Sequence, residues 1–291
     1  MAQDTGIIIS VGKGGRFMET EKNRELIDRL LQAQSLPLHG YCSFKAVSDR
    51  LIPCRALGRM KAAFQQDSPP QTVIAALFPY RTGDEPGNLA RYARVPDYHV
   101  AAGRVLEQAA KVLSDAFHRY TFLSFIDNSP IPEVRAAALA GLGCIGDHGL
   151  LIHPVYGSWV FIGTIVTDLP VALPDQKTEP CSHCGKCARA CPGGCVGCDS
   201  RETCVSRISQ IKGQFSPEQA ELLMKSGMVW GCDRCQEICP LNENAKIQPH
   251  PCFDRTFPPW LTCETVNDLE GRAYGWRGAD VLKRNLSLFD K

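Results

Sequence analysis

Cys181-Ser-His-Cys184-Gly-Lys-Cys187-Ala-Arg-Ala-Cys191-Pro192 decides how this chain reads. The spacing is C-x2-C-x2-C-x3-C-P, the run with which bacterial ferredoxins hold [4Fe–4S] clusters. Three thiolates two residues apart wrap one face of a cubane, and the fourth points to a neighbouring cluster. A second run follows, Cys232-Asp-Arg-Cys235-Gln-Glu-Ile-Cys239-Pro240. It is one ligand short, so another cysteine must complete it, and Cys204 is the best candidate. The reading assigns Cys181, Cys184, Cys187 and Cys239 to one cluster and Cys191, Cys204, Cys232 and Cys235 to the other. Cys195 and Cys198 are rivals to Cys204 or spare thiols. C-x2-C pairs also hold zinc, but a C-P end after x3 in both runs fits the cubane pattern.

The composition agrees with this. Of 291 residues 15 are cysteine, and most of them fall between Cys181 and Cys239. Structural disulfides in a secreted protein would be more dispersed. The remaining Cys42, Cys54, Cys144, Cys252 and Cys263 read as small buried hydrophobes. Hydrophobic residues at 44% and charged residues at 22% exclude a disordered chain, and a net charge of +1 excludes a global field for nucleic acid. The longest apolar stretches, Val73–Phe78 and Trp159–Val166, fall far short of the ~18 residues that a membrane helix needs. The expectation is a cytoplasmic monomer with reduced thiols and no membrane partner.

Outward from the cysteines, the chain divides into an arm (1–20), an α/β domain (21–172), the double-cluster ferredoxin-like unit (173–245) and a tail (246–291). Asp168–Pro180, with three prolines, reads as a linker. In the α/β domain, strands are expected at Gly40–Phe44, Val73–Phe78, Tyr120–Ile126, Leu150–Ile152 and Ser158–Thr167. Helices are expected at Glu21–Ala33, Asp97–Phe117 (Val100, Val105, Leu106 and Val112 inward) and Ile131–Leu142. Ser216, Pro217 and Gln219 form a capping box for a helix to Lys225. The tail carries one helix, Ala279–Leu288. Gly12-Lys-Gly-Gly15 lacks the spacing of a phosphate loop.

Several stretches, in order, resemble the epoxyqueuosine reductase family. They are Ala90-Arg-Tyr-Ala93 with Asp97-Tyr98-His99; Asp127-Asn-Ser-Pro130 through Glu133; Ala140-Gly-Leu-Gly-Cys-Ile-Gly146; Gly157-Ser-Trp159; both cysteine runs; and Gly231-Cys-Asp-Arg-Cys-Gln236. Each piece alone is weak; the ordered set is specific. The family often has Lys after Gly146, where this chain has Asp147. Many members carry C-terminal helical repeats, and none is legible in residues 240–291.

The resemblance implies an α/β cobalamin-binding domain, like that of reductive dehalogenases, joined to the double-cluster unit. Base-off cobalamin would sit between them, and the clusters would reduce it to cob(I)alamin. That nucleophile would attack epoxyqueuosine at the tRNA wobble position. A low-potential donor such as ferredoxin or flavodoxin would supply electrons. Asp127 matches the proton donor, and an apolar wall is expected to raise its pKa. By family position, Asp127, Leu151, Ser158, Ile162, Ile211, Gly231 and Asp233 would contact the corrin. Gly141, Gly143 and Gly146 would let backbone approach it, although a helix C-cap followed by a turn also explains Gly141 and Gly143. His99 reads as a structural group, His183 as a hydrogen-bond donor to a cluster, and Trp159 and Trp230 as core. Lys186, Arg189, Arg201, Arg207, Lys212 and Arg234 form a basic set that could meet an anticodon loop. Two other readings remain: a cobalamin reductase for a non-tRNA substrate, and a plain 2[4Fe–4S] electron carrier.

Overall fold

In this computed structural model, residues 13–64, 68–174 and 178–289 are described. A four-stranded sheet organises the first half. Its strands are β1 (His39–Ser43), β2 (Thr72–Pro79), β3 (Phe122–Ile126) and β6 (Val160–Thr167), in the order β1-β2-β6-β3 and antiparallel throughout. The β2 segment reads Thr-Val-Ile-Ala-Ala-Leu-Phe-Pro and is buried along its whole length. A continuous apolar run of this kind needs cover on both faces. Ile74, Ala76 and Phe78 pack under α1 (Lys13–Ala33) and α3 (Tyr98–Ala116) with Ile27, Leu31, Leu106 and Leu113. Val73, Ala75 and Leu77 pack under α2 (Arg55–Ala63) and α4 (Glu133–Leu139) with Met60, Ala136 and Ala137. A small hairpin of β4 (Cys144–Ile145) and β5 (Leu151–Ile152) follows α4.

The α3 helix starts where Asp97 caps it, its carboxylate accepting from the His99 backbone N–H. That start sets the phase, and it leaves Val100 exposed rather than inward. The arm expected over residues 1–20 falls partly outside the described residues. From Lys13 onward the chain is already helical, ahead of the expected start at Glu21. A nucleated helix extends cheaply, and an interior glycine costs only ~1 kcal/mol.

The cysteine-rich half is built from short helices: α5 (Lys186–Ala190), α6 (Val205–Ile208), α7 (Pro217–Ser226) and α8 (Arg234–Glu237). Ser216 and Gln219 close the capping box on α7. The expected linker differs from its reading. Leu169, Val171 and Ala172 are buried, and Asp168 accepts from the Thr121 N–H at 2.7 Å.

The expected tail is a strap. The His250 N–H donates to the Pro79 carbonyl, and the Asn88 N–H donates to that of Pro259. In the last helix, α9 (Ala279–Leu286), Leu282 and Leu286 join Val266 and Tyr274 in a core with Leu89, Ala93 and Trp230. The Asn285 amide donates to the carbonyls of Ser209 and Val229, both at 2.8 Å. The helix is expected from its own spacing, whereas polar residues space the anchors before it widely and show no period.

Leu282 is 0% exposed. Leu282→Ala is expected to cost ~2–5 kcal/mol in urea unfolding of the anaerobically prepared protein. A loose tail would register below ~0.5 kcal/mol.

Candidate active site

A cleft of about 480 Å³ lies between the sheet domain and the cysteine-rich half. Tyr98, His99, Asp127 and Glu133 line it from the sheet domain. Cys204, Cys232 and Cys235 line it from the cysteine side, and Leu150, Leu151, Val160 and Ile162 are apolar wall.

Asp127 ends β3 in a tight turn with φ of 57°, left-handed backbone that a non-glycine residue rarely adopts. The Asn128 N–H donates across it to the Ile126 carbonyl at 2.7 Å. The turn aims the carboxylate at α3. His99 Nε2 lies 3.0 Å from Asp127 Oδ2, and Nδ1 lies 2.7 Å from Asp97 Oδ1. An ionised carboxylate only accepts, so a ring held at both nitrogens by two of them is an imidazolium. Burial pushes His99 down, but its bonds to Asp127 and Asp97 outweigh that and raise it to about 9. The His99 hydrogen bond holds Asp127 below its usual range, against the opposing pull of burial. This reverses the expected upward push on Asp127: half-exposed and paired, it is the anion, and the histidine holds the proton. Tyr98 stacks on Phe161 at 4.0 Å, fixing the start of α3.

Glu133 opens α4 in the same cleft. Burial, with the Asp127 charge adding to it, raises its carboxyl to about 8. Its Oε1 is buried without a hydrogen-bond partner. His148 is also orphaned. Its Nδ1 accepts from the Leu150 N–H at 3.2 Å, which leaves the proton on a buried, unpartnered Nε2. Burial lowers its pKa to about 4, so the ring is neutral.

The thiols converge in two sets. Cys181, Cys184, Cys187 and Cys239 line one small cavity. Cys232 and Cys235 each lie within electrostatic reach of Cys191 and Cys204. Each set draws on both runs, and the donor chemistry of four thiols suits a [4Fe–4S] cluster. His183 pairs with Asp147 at 2.6 Å, so the charge reversal at Asp147 has its partner there.

Of the other expected corrin contacts, Leu151, Ser158 and Ile162 line the cleft. The Ser158 hydroxyl donates to Gln236 at 3.0 Å and accepts from Asn242 at 2.8 Å. Ile211, Gly231 and Asp233 are not among the lining residues. Asp233 is buried, taking the Arg91 backbone N–H at 2.7 Å with the Arg91 guanidinium 3.5 Å away. Two of the three glycines are also needed locally: a Cβ on Gly143 would meet the Ile152 carbonyl at 2.3 Å, and one on Gly146 would meet His148. Trp159 is core and stacks on Arg91, whereas Trp230 is both buried and part of the cleft wall. Cys42 is buried as expected, but Cys263 is exposed. The six basic residues are all exposed. Sequence reasoning missed His148, Glu133 as a proton holder, and Trp276, which is 57% exposed and reaches the cleft from the strap. Only the Asp97-Tyr-His99 triplet and the spacing of Asp127 to Glu133 carried a signal.

The chain is similar to an epoxyqueuosine reductase of Gloeobacter violaceus, 32% identical over 229 residues, covering 74% of this chain and 72% of the relative. The chain belongs to the epoxyqueuosine reductase family. No family model matches it. Another epoxyqueuosine reductase, from Listeria monocytogenes, is 28% identical over 286 residues. It covers 89% of this chain and 72% of the relative. The epoxyqueuosine reductase of Lactococcus garvieae is 30% identical over 72% of this chain, which spans 62% of that relative's length. The solved epoxyqueuosine reductase of Streptococcus thermophilus shares the fold with a TM-score of 0.71 at 22% identity, over 91% of this chain and 80% of that one. Among the described residues, no helix is long and apolar enough to cross a membrane.

Proton ownership in the cleft is testable directly. His99 is expected to stay protonated at pH 7 and to lose its proton as pH rises through about 9. Asp127→Asn removes one of its two anionic partners, so imidazole NMR should show that pKa fall. An unchanged pKa would mean that Asp127 does not hold the ring.

Proposed function

We propose that this chain is a cobalamin- and iron–sulfur-dependent reductase converting epoxyqueuosine to queuosine in a tRNA anticodon loop. It would act as a cytoplasmic monomer with a low-potential donor such as ferredoxin or flavodoxin. One observation carries the reading: a single cleft has the Asp127–His99 pair on one wall and Cys204, Cys232 and Cys235 on the other. Family membership supports the reaction. An epoxyqueuosine reductase of the same fold, with a TM-score of 0.72 at 23% identity, has been solved with an epoxyqueuosine-modified tRNA-Tyr stem loop.

Cys181, Cys184, Cys187 and Cys239 would hold one [4Fe–4S] cluster, and Cys191, Cys204, Cys232 and Cys235 the other. The apolar wall at Leu151 and Ile162 and the orphaned His148 N–H fit a large flat cofactor with polar edges. When bound, cobalamin supplies a reduced cobalt nucleophile that the clusters recharge one electron at a time.

The chain itself supplies protons. Opening the epoxide and losing its oxygen as water leaves a carbon–carbon double bond and consumes two electrons and two protons. At neutral pH the cleft stores two protons, on His99 and on Glu133. Asp127, exposed at the turn, would pass the His99 proton to the leaving oxygen. Glu133, kept neutral by burial, is the second acid. Two acidic groups in one site whose environments push their pKa values apart mark separate roles. The exposed basic set, Arg201 at the cleft among it, would meet RNA phosphates.

Anaerobic reconstitution with iron, sulfide and cobalamin, followed by turnover of a modified stem loop, tests this. About eight Fe per chain, a base-off cobalamin spectrum and turnover that declines as pH rises through about 8, where Glu133 loses its proton, and falls further through about 9, where His99 does, are expected. Asp127→Asn should keep iron and cobalamin and lose turnover by roughly 10²–10⁴-fold. Eight iron without corrinoid binding would leave an electron carrier. Reduction of a small epoxide but not of the stem loop would move the substrate away from tRNA.

A further inference from the structure

The second set of thiols has five members, not four. Cys195 is 3% exposed, its Sγ 3.6 Å from Cys191 Sγ, and its thiol also interacts with Cys204. The loop Cys191-Pro-Gly-Gly-Cys195 is built to bring it there. The Gly194 N–H donates to the Cys191 carbonyl at 3.0 Å and closes a turn, and Gly194 adopts a φ of 59°. Gly193 lies so close to the Thr203 carbonyl that any Cβ would collide with it. The turn is therefore pressed against the residue preceding Cys204 and can bear no larger side chain. Cys198, the remaining thiol of this stretch, is exposed and donates to the Gly194 carbonyl instead.

We propose that Cys195 is a reserve ligand of the second cluster, able to take the iron that Cys191 otherwise holds. The inference rests on the assignment of Cys191, Cys204, Cys232 and Cys235 to that cluster. The exchange is redox-neutral. One iron–thiolate bond to Cys191 breaks, one to Cys195 forms, and the Cys195 proton passes to the departing Cys191 sulfur. Because the two sulfurs are nearly in contact, the exchange requires rotation about side-chain bonds and little movement of the chain.

Anaerobic reconstitution of four proteins tests this by iron count and by EPR of the reduced clusters. The proteins are wild type, Cys191→Ala, Cys195→Ala and the double variant. Wild type and Cys195→Ala should each hold about eight Fe. Cys191→Ala should also hold about eight, with altered EPR g-values because the ligating thiol and its surroundings have changed. The double variant should fall to about four, keeping the signal of the first cluster, which also reports that it folds. Cys191→Ala falling to the count of the double variant, or to about seven as a three-iron cluster, would overturn the proposal. So would loss of iron in Cys195→Ala, which would make Cys195 an obligatory ligand. A wild type holding only about four Fe would defeat the two-cluster assignment itself.

Discussion

The structure depends on the interleaving of its thiols. Cys239 of the second run joins Cys181, Cys184 and Cys187 of the first, and Cys191 of the first reaches across to Cys232 and Cys235. Neither run can complete a set of four alone. The two runs therefore pack as one body, and short helices with little hydrophobic core depend on the rest of the chain for that packing. Arg91 provides much of it. Its backbone N–H and guanidinium capture the buried Asp233, its side chain reaches Glu237 at 2.7 Å, and its face stacks on Trp159. A buried carboxylate between Cys232 and Cys235 would cost several kcal/mol if left unpaired. With Arg91 beside it, the same charge fixes the second run against the sheet domain.

From that junction follows the chemistry of the cleft. The sheet domain contributes titratable groups at the starts of α3 and α4 and at the end of β3, while the cysteine half contributes the thiols of Cys204, Cys232 and Cys235. Helix N-termini stabilise anions, and Asp97 and Asp127 sit near one. The imidazolium of His99 is stable between them because both of its N–H groups are used. Burial keeps Glu133 protonated, and the paired anion at Asp127 adds to it by making a second charge there more expensive. Proton storage here is a property of three side chains together.

Much of the fold was legible. The β2 apolar run, the Asp97–Phe117 helix and the Ser216–Gln219 box each use local chemistry that a sequence displays. Both cysteine runs were legible for the same reason, since their spacing is a local property. What escaped was non-local. Nothing in the periodicity of residues 246–278 tells that His250 and Pro259 anchor a strap, because each meets a different part of the molecule. The direction of the Asp127 shift escaped too. Burial alone argued upward, whereas the direction depends on a histidine 28 positions away being aimed at it.

The glycines show why residue type alone misassigns roles. Gly143 and Gly193 are both required by close approach, which a sequence can suggest. What they approach is set by tertiary structure: the Ile152 carbonyl in one case and the Thr203 carbonyl in the other. A ring cofactor and a backbone carbonyl exclude a Cβ equally well, so the sequence cannot separate them. Gly143 thus belongs to the β4–β5 hairpin. Gly193 belongs to the turn that brings Cys195 beside Cys191, where a larger side chain would push the two sulfurs apart.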